Sequence, residues 1–300
     1  MDTARVDYTY LSKTVASLDK GDNGALNSVL ARSILGREIP IITLGKGKKA
    51  VLYVGAHQGT DGLTAGILLD FVRDYLRQYE KMGMVFDYSM KYLFEQRRIY
   101  VVPMVNPDGV EYAEHGVTRD NPLYERLLQM NGGADFSRWQ ANARGVDLNH
   151  NYATGFVSYK EKELASGIIN GAPVGYSGEH PESEPETAAI GRFLRVQQES
   201  VRGVLSLHTQ GEQILCSCGD CLSAKTMSAG RLLARLCGYR LVHPDGVSAA
   251  GGLSDWCIES LGRPAYTVKC GRGEGGVPPE DRPKIYERLR RALFSFPFFV

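Results

Sequence analysis

Side chains able to move protons or hold ions gather at four places in this chain. They are His57-Gln58, Asn106-Pro-Asp-Gly109, His208 with Glu212 four residues on, and Lys269 before the turn Gly271-Arg-Gly273. Imidazole and carboxylate groups act as general acids and bases, whereas a charged lysine offers three donors and no acceptor. A fifth group, Cys216, Cys218 and Cys221, has the C-x-C-x-x-C spacing of a zinc or iron–sulfur ligand set. Such centres usually take four ligands, and no fourth cysteine lies nearby. Cys237 or Cys257 could join only through the fold, and small thiols packed in a strand and loop are the plainer reading.

For the four polar places to act together, the elements before them must end at one edge. Ala50–Ala56 is a nearly continuous apolar run, as a strand buried on both faces requires. Ile99–Val105, Val204–His208 and Ala265–Cys270 read as three more core strands, the first ended by the turn signal Asn106-Pro-Asp-Gly109. Val29–Leu35 and Glu38–Leu44 flank Gly36-Arg37 as a hairpin, and Lys46–Lys49 is a solvated turn. Between the strands run helical patterns. Thr9 caps a short helix with Leu11, Val15 and Leu18 on one face, and a longer helix runs from Leu63 to Tyr79. Ser183-Glu-Pro-Glu186 has the form of a capping box opening a helix through Leu194. Leu232, Leu233 and Leu236 mark another helix, and Ile285, Leu289, Ala292, Leu293 and Phe296 mark the last. Buried strands alternating with amphipathic helices imply an α/β sandwich around a mixed, largely parallel sheet. Ligands of such sheets bind beyond the strand C-termini, where all four polar places fall.

The chain has 300 residues, 43% of them hydrophobic, enough for a sizeable core, and no linker or repeat divides it, so residues 1–300 read as a single domain. Lys+Arg 35 against Asp+Glu 34 gives a net charge of +1 and no electrostatic case for nucleic acid or an anionic membrane. No run approaches the ~20 apolar residues of a membrane span, and Met1–Tyr8 lacks the pattern of a signal peptide, so a cytoplasmic location is expected. Six cysteines in this length imply reduced thiols rather than a disulfide scaffold.

Read in order, six segments resemble the zinc carboxypeptidase family (carboxypeptidase A-like), and within it the bacterial γ-D-glutamyl-diamino-acid peptidases. They are Val51–Asp61, Val102–Gly109, Trp139–Asn151, Tyr176-Ser-Gly178 with Ser183–Thr187, Ser206–Glu212 and Gly262–Gly273. The resemblance implies a three-layer α/β/α sandwich around a mixed sheet. It also implies a Zn²⁺ with three protein ligands and an open position for water, a glutamate as general base, an arginine for the oxyanion, and an Asn-Arg pair for a terminal carboxylate.

Carried over residue by residue, the resemblance gives an altered site. His208 matches the third zinc ligand and is intact. The first two ligand positions fall on Gln58, a weak neutral donor, and Asp61, one methylene short of glutamate. The general-base position holds Lys269 and the oxyanion position Gln140. Asn149 matches the carboxylate-binding Asn; its partner is His150, a residue compatible with the bacterial branch. The aligned position of the mobile active-site tyrosine is Val247. His57, adjacent to Gln58, is an alternative ligand that would form an H-x-x-x-D pair with Asp61, but strand alternation aims it away from the site. Glu212 and Glu274 are the candidates for replacing the lost base, although Glu212 also matches a family position that is not the base.

Asp61 and Lys269 sum to zero charge without any metal, so the lysine ammonium is expected to pair with Asp61 and stand in for the cation, with zinc absent or weakly bound. The expected function is an inactive peptidase homologue that keeps a cleft for peptides, peptidoglycan stem peptides among them. The alternative is an active zinc peptidase with an atypical ligand set such as His57, Asp61 and His208.

Overall fold

Four apolar segments dictate the centre of the molecule. In the structure, a computed structural model describing residues 5–18, 24–216, 222–244, 251–273 and 276–300, they become adjacent parallel strands. These are β6 (Arg97–Val102), β3 (Lys49–Gly55), β7 (Val201–Thr209) and β10 (Ala265–Cys270), in that order. β3 is buried at every position after Lys49, as a central parallel strand must be. The hairpin β1 (Ala25–Arg32) and β2 (Glu38–Leu44) adds antiparallel to β6. Beyond β10 lie β8 (Gln213–Leu215), antiparallel to it, and β9 (Arg240–Val242). The eight-stranded sheet is therefore mixed with a parallel heart.

Side-chain alternation assigns the helical layers. Tyr53 faces α10 (Arg282–Phe299), donating its hydroxyl to the Leu293 carbonyl at 2.6 Å, and packs edge-on to Phe71 of α2 (Gly62–Glu80). Tyr266 faces the same way and bonds the Thr226 carbonyl of α8 (Ala224–Cys237). On the opposite face Tyr100 meets Phe193 of α7 (Pro185–Val196), and Thr267 meets Ser254 of α9 (Leu253–Leu261). The architecture is an α/β/α sandwich. Tyr53, Phe71, Tyr266 and Phe296 are each fully buried, and each contributes about 1.5–3 kcal/mol by leaving water.

Several local expectations need correction. Asp7, not Thr9, caps α1 (Tyr8–Leu18), its Oδ1 accepting from Tyr10 N at 2.7 Å. Asn106-Pro-Asp-Gly109 is no simple turn: Asn106 accepts from Gly109 N and starts α4 (Pro107–His115), with Pro107 in the first turn. The capping box at Ser183 does not form. Ser183 Oγ donates to Glu184, and the Glu186 carboxylate accepts from Ile34 N of a distant loop. Among the described residues no helix is long and apolar enough to cross a membrane.

Candidate active site

The loop after β3 is shaped by close packing. Ala56 takes a positive φ of 48°, its N–H held by Thr64 Oγ1, and the chain turns out of the strand direction there. Gly59 then passes so close to its neighbours that an added Cβ would lie 2.4 Å from the Trp139 carbonyl oxygen and 2.5 Å from that of Gly109. Only glycine fits. The buried Asn106 amide ties three loops together, donating to the carbonyls of His57 and Ala141 at 3.1 Å and of Gln140 at 3.3 Å. Sequence reasoning gave Asn106 no such role. The signal was present, since Asn before Pro is also a helix cap.

Because the strand stops at Gly55, His57 does not aim away from the site as alternation implied. It lies buried beside His208, the rings stacked with centroids 5.5 Å apart, and meets the Tyr152 hydroxyl at 3.0 Å. Burial first, then His208, pushes His57 down to about 3, so its ring is neutral. Ser206, two residues before His208 on the same face of β7, touches His208 Nε2 at 3.0 Å and His57 Nδ1 at 3.4 Å. On the other side His208 Nδ1 faces Asp61 Oδ2 at 2.9 Å, while Asp61 Oδ1 accepts from Thr209 N at 3.0 Å and Thr209 Oγ1 at 2.6 Å. Asp61, His208 and Ser206 thus line up like a Ser–His–Asp triad. All three are buried, with Ser206 1% exposed, so no substrate reaches the serine.

Nearer the surface, two altered positions satisfy one another. Gln58 Nε2 donates to Gln140 Oε1 at 2.9 Å and lies 3.3 Å from Asp147 Oδ2. Asp147 also accepts from Asn149 N, and His150 stacks on Tyr159 at 4.0 Å, so the two expected carboxylate-binding residues sit on one short 3₁₀ turn, Leu148–His150.

Lys269 is the register partner of His208 across β7 and β10, so both side chains leave the same face of the sheet. The expected Lys269–Asp61 ion pair is not formed. No hydrogen bond or ion pair involves the half-buried Lys269 ammonium among the described residues, and it acts on Asp61 only through space. His208 and Thr209 already occupy the carboxylate at hydrogen-bond distance. Glu212 is no replacement base: Arg272 Nε holds it at 2.6 Å and Arg288 grips its other oxygen. Val247, Glu274, Cys218 and Cys221 lie outside the described residues. Cys216, Cys237, Cys257 and Cys270 are free and buried, and burial pushes the Cys216 thiol up to about 12.

The residues fit half of a zinc site. Asp61 Oδ2 and His208 Nδ1 face each other off the line of a hydrogen bond, and neither has another partner. Two ligands at about 2.0–2.2 Å from a tetrahedral zinc lie about 3.4 Å apart, so this pair, at 2.9 Å, would have to open slightly to take one. A third strong donor is missing among the described residues. Gln58 offers only its neutral amide oxygen, a weak zinc ligand, while its nitrogen donates to Gln140 and Asp147. Among the described residues, the only trio of His, Cys, Asp or Glu with ligand atoms within 4.8 Å of one another is Asp7, Glu111 and His115, on α4 and the start of the chain. His57, Asp61 and His208 therefore make no three-ligand set either.

The model of the zinc carboxypeptidase family matches residues 25–288. The chain belongs to that family. It is 28% identical over 282 residues to gamma-D-glutamyl-L-diamino acid endopeptidase 1 of Lysinibacillus sphaericus, covering 94% of this chain and 69% of the relative. Solved structures show the same fold. Thrombin-activatable fibrinolysis inhibitor superposes with a TM-score of 0.73 at 16% identity, over 98% of this chain and 74% of the other. Murein-tripeptide amidase from Escherichia coli O157 gives 0.52 at 20% identity, over 89% and 91%.

Proposed function

We propose that this member of the zinc carboxypeptidase family binds peptide-like ligands in its cleft and does not hydrolyse them by the family's metal–water route. The observation that carries the reading is the neutral amide of Gln58, held through its nitrogen by Gln140 and Asp147 where a ligand is expected, which leaves Asp61 and His208 as the two strong donors. Lys269 supports it. A charged ammonium where the family's base belongs cannot accept a proton, and its charge opposes a divalent cation beside it. Gln140 supplies no positive charge for an oxyanion, and Glu212 is spoken for by two arginines. The family's sheet and the turn carrying Asn149 and His150 are kept, which is why binding is proposed to outlast catalysis.

The ligand class follows from a relative by analogy. A peptide with a γ-D-glutamyl–diamino acid bond is the first to try, because the relative from Lysinibacillus sphaericus is named for that bond. The test is metal analysis of protein purified without chelator, joined to an assay of γ-D-glutamyl-diaminopimelate peptide cleavage with and without added zinc. Substoichiometric zinc and no cleavage are expected. Stoichiometric zinc with chelator-sensitive cleavage would overturn the proposal and establish a peptidase with a two-residue anchor. The combined substitution Gln58→His, Gln140→Arg, Lys269→Glu is expected to gain tight zinc binding.

A further inference from the structure

Lys269 is anomalous in its surroundings. Cations nearby are neutralised: Arg272 and Arg288 by Glu212, Arg144 by Glu184. Lys269 alone among these is half-buried with neither a hydrogen bond nor an ion pair among the described residues. Asp61 cannot serve it, being fully buried and engaged by His208 and Thr209. A half-buried ammonium with no acceptor at hydrogen-bond distance keeps three donors free for a ligand that brings an anion. The neighbouring Gln58–Gln140 pair is neutral and the Asp61 oxygens are held by His208 and Thr209, so the Lys269 ammonium keeps its donors unmatched at hydrogen-bond distance.

We infer that Lys269 is a carboxylate-binding point, selecting peptide ligands that end in a free acid over their amides at the place where relatives would cleave. The inference rests on the peptide-cleft reading above for the identity of the ligand, but not for the anion site itself. A carboxylate is favoured over a phosphate because one lysine is a monovalent point charge, whereas phosphate recognition recruits several donors and commonly arginine. In register with His208, the ammonium leaves the same sheet face as the remnant pair, at the last rung of the ladder before the C-terminal residues of β7 and β10. The acid would thus mimic the product side of a hydrolysis that this chain is proposed not to perform.

The experiment has two arms. In the first, lysines are ¹³C-dimethylated and acetate is titrated in. The signal assigned by its absence in Lys269→Met is expected to move saturably, while other lysine signals drift linearly. In the second, L-Ala-D-Glu and its diamide L-Ala-D-Gln-NH2, in which carboxamides replace both free carboxylates, are compared by calorimetry. The acid is expected to bind about tenfold tighter to the wild type, the advantage being lost in Lys269→Met with amide binding unchanged. If acetate saturates Lys269 but neither dipeptide binds, the anion site stands and the peptide-cleft reading fails. If Lys269 ignores acetate, or Lys269→Met keeps the preference for the acid, the inference is overturned whatever else the cleft binds. A folded far-ultraviolet spectrum of Lys269→Met guards against a trivial loss.

Discussion

Asp61 and Glu186 are both fully buried carboxyl groups, yet the protein treats them in opposite ways. At Asp61 burial pushes the pKa up, but His208, Thr209 and the through-space charge of Lys269 outweigh it, and the group sits below its ordinary value. At Glu186 burial wins. Asp108 and Glu184 add to it, and the carboxyl is driven from 4.5 to about 8. Its Oε2 is buried without a hydrogen bond, while Asp108 next to it takes Arg37, Ser33 and Leu35 N for itself. Depth alone does not decide whether a carboxyl is charged. The donors that converge on it do, and they converge at the cleft end of the sheet and not under α7.

Breaking the charged member should cost most. Asp61→Ala removes the acceptor of two Thr209 donors and strips His208 of its partner, so a loss of about 3–5 kcal/mol is expected in urea denaturation. A loss under about 1 kcal/mol would mean that Asp61 is not held as an ion. Asn106→Ala comes next, because Asn106 joins the His57 loop to α4, which carries Asp108. Losing a cap and leaving the His57 and Ala141 carbonyls short of a donor should cost about 3 kcal/mol, and hydrogen exchange should quicken in both loops.

Glu186→Gln should act with the reverse sign. The folded chain keeps a proton on Glu186 that the unfolded chain releases above pH 4.5, so wild-type stability is full below that value and falls as pH rises toward about 8. The glutamine variant has nothing to release. Its stability should be flatter across that window, exceeding the wild type near pH 8 by about 4 kcal/mol. Parallel pH profiles for the two proteins would rule out a neutral Glu186. The smallest effect belongs to the uncharged amides. Gln58→Ala and Gln140→Ala should each cost under about 1 kcal/mol, with a double-mutant coupling of about 0.5–1 kcal/mol.

The heart of the fold was legible because parallel strands leave a plain mark. Ala265–Cys270 was read with the bounds the structure gives it, and the four core strands were found. What escaped was short or ambiguous. β8 and β9 are three residues each, too brief for a period to show. Asn106-Pro-Asp-Gly109 serves turns and helix starts alike, so α4 was missed. His57 was misdirected because nothing in its neighbours' identities announces the positive φ at Ala56. In the site, residue types at matched positions were readable one at a time, but their new partnerships were not. Gln58 and Gln140 are 82 positions apart, and Lys269 proved to lack the ion pair that charge counting assigned to it.

The contact between Gln58 and Gln140 also bears on history. Changing either one back toward the family's residue deprives the other of its partner before any metal is gained. A lone histidine at position 58 would face a site still lacking a base and still holding the Lys269 charge. On the proposed reading, replacements at Gln58, Gln140 and Lys269 would have to coincide before metal-dependent hydrolysis appeared, so the Gln58–Gln140 contact works as a ratchet against single changes.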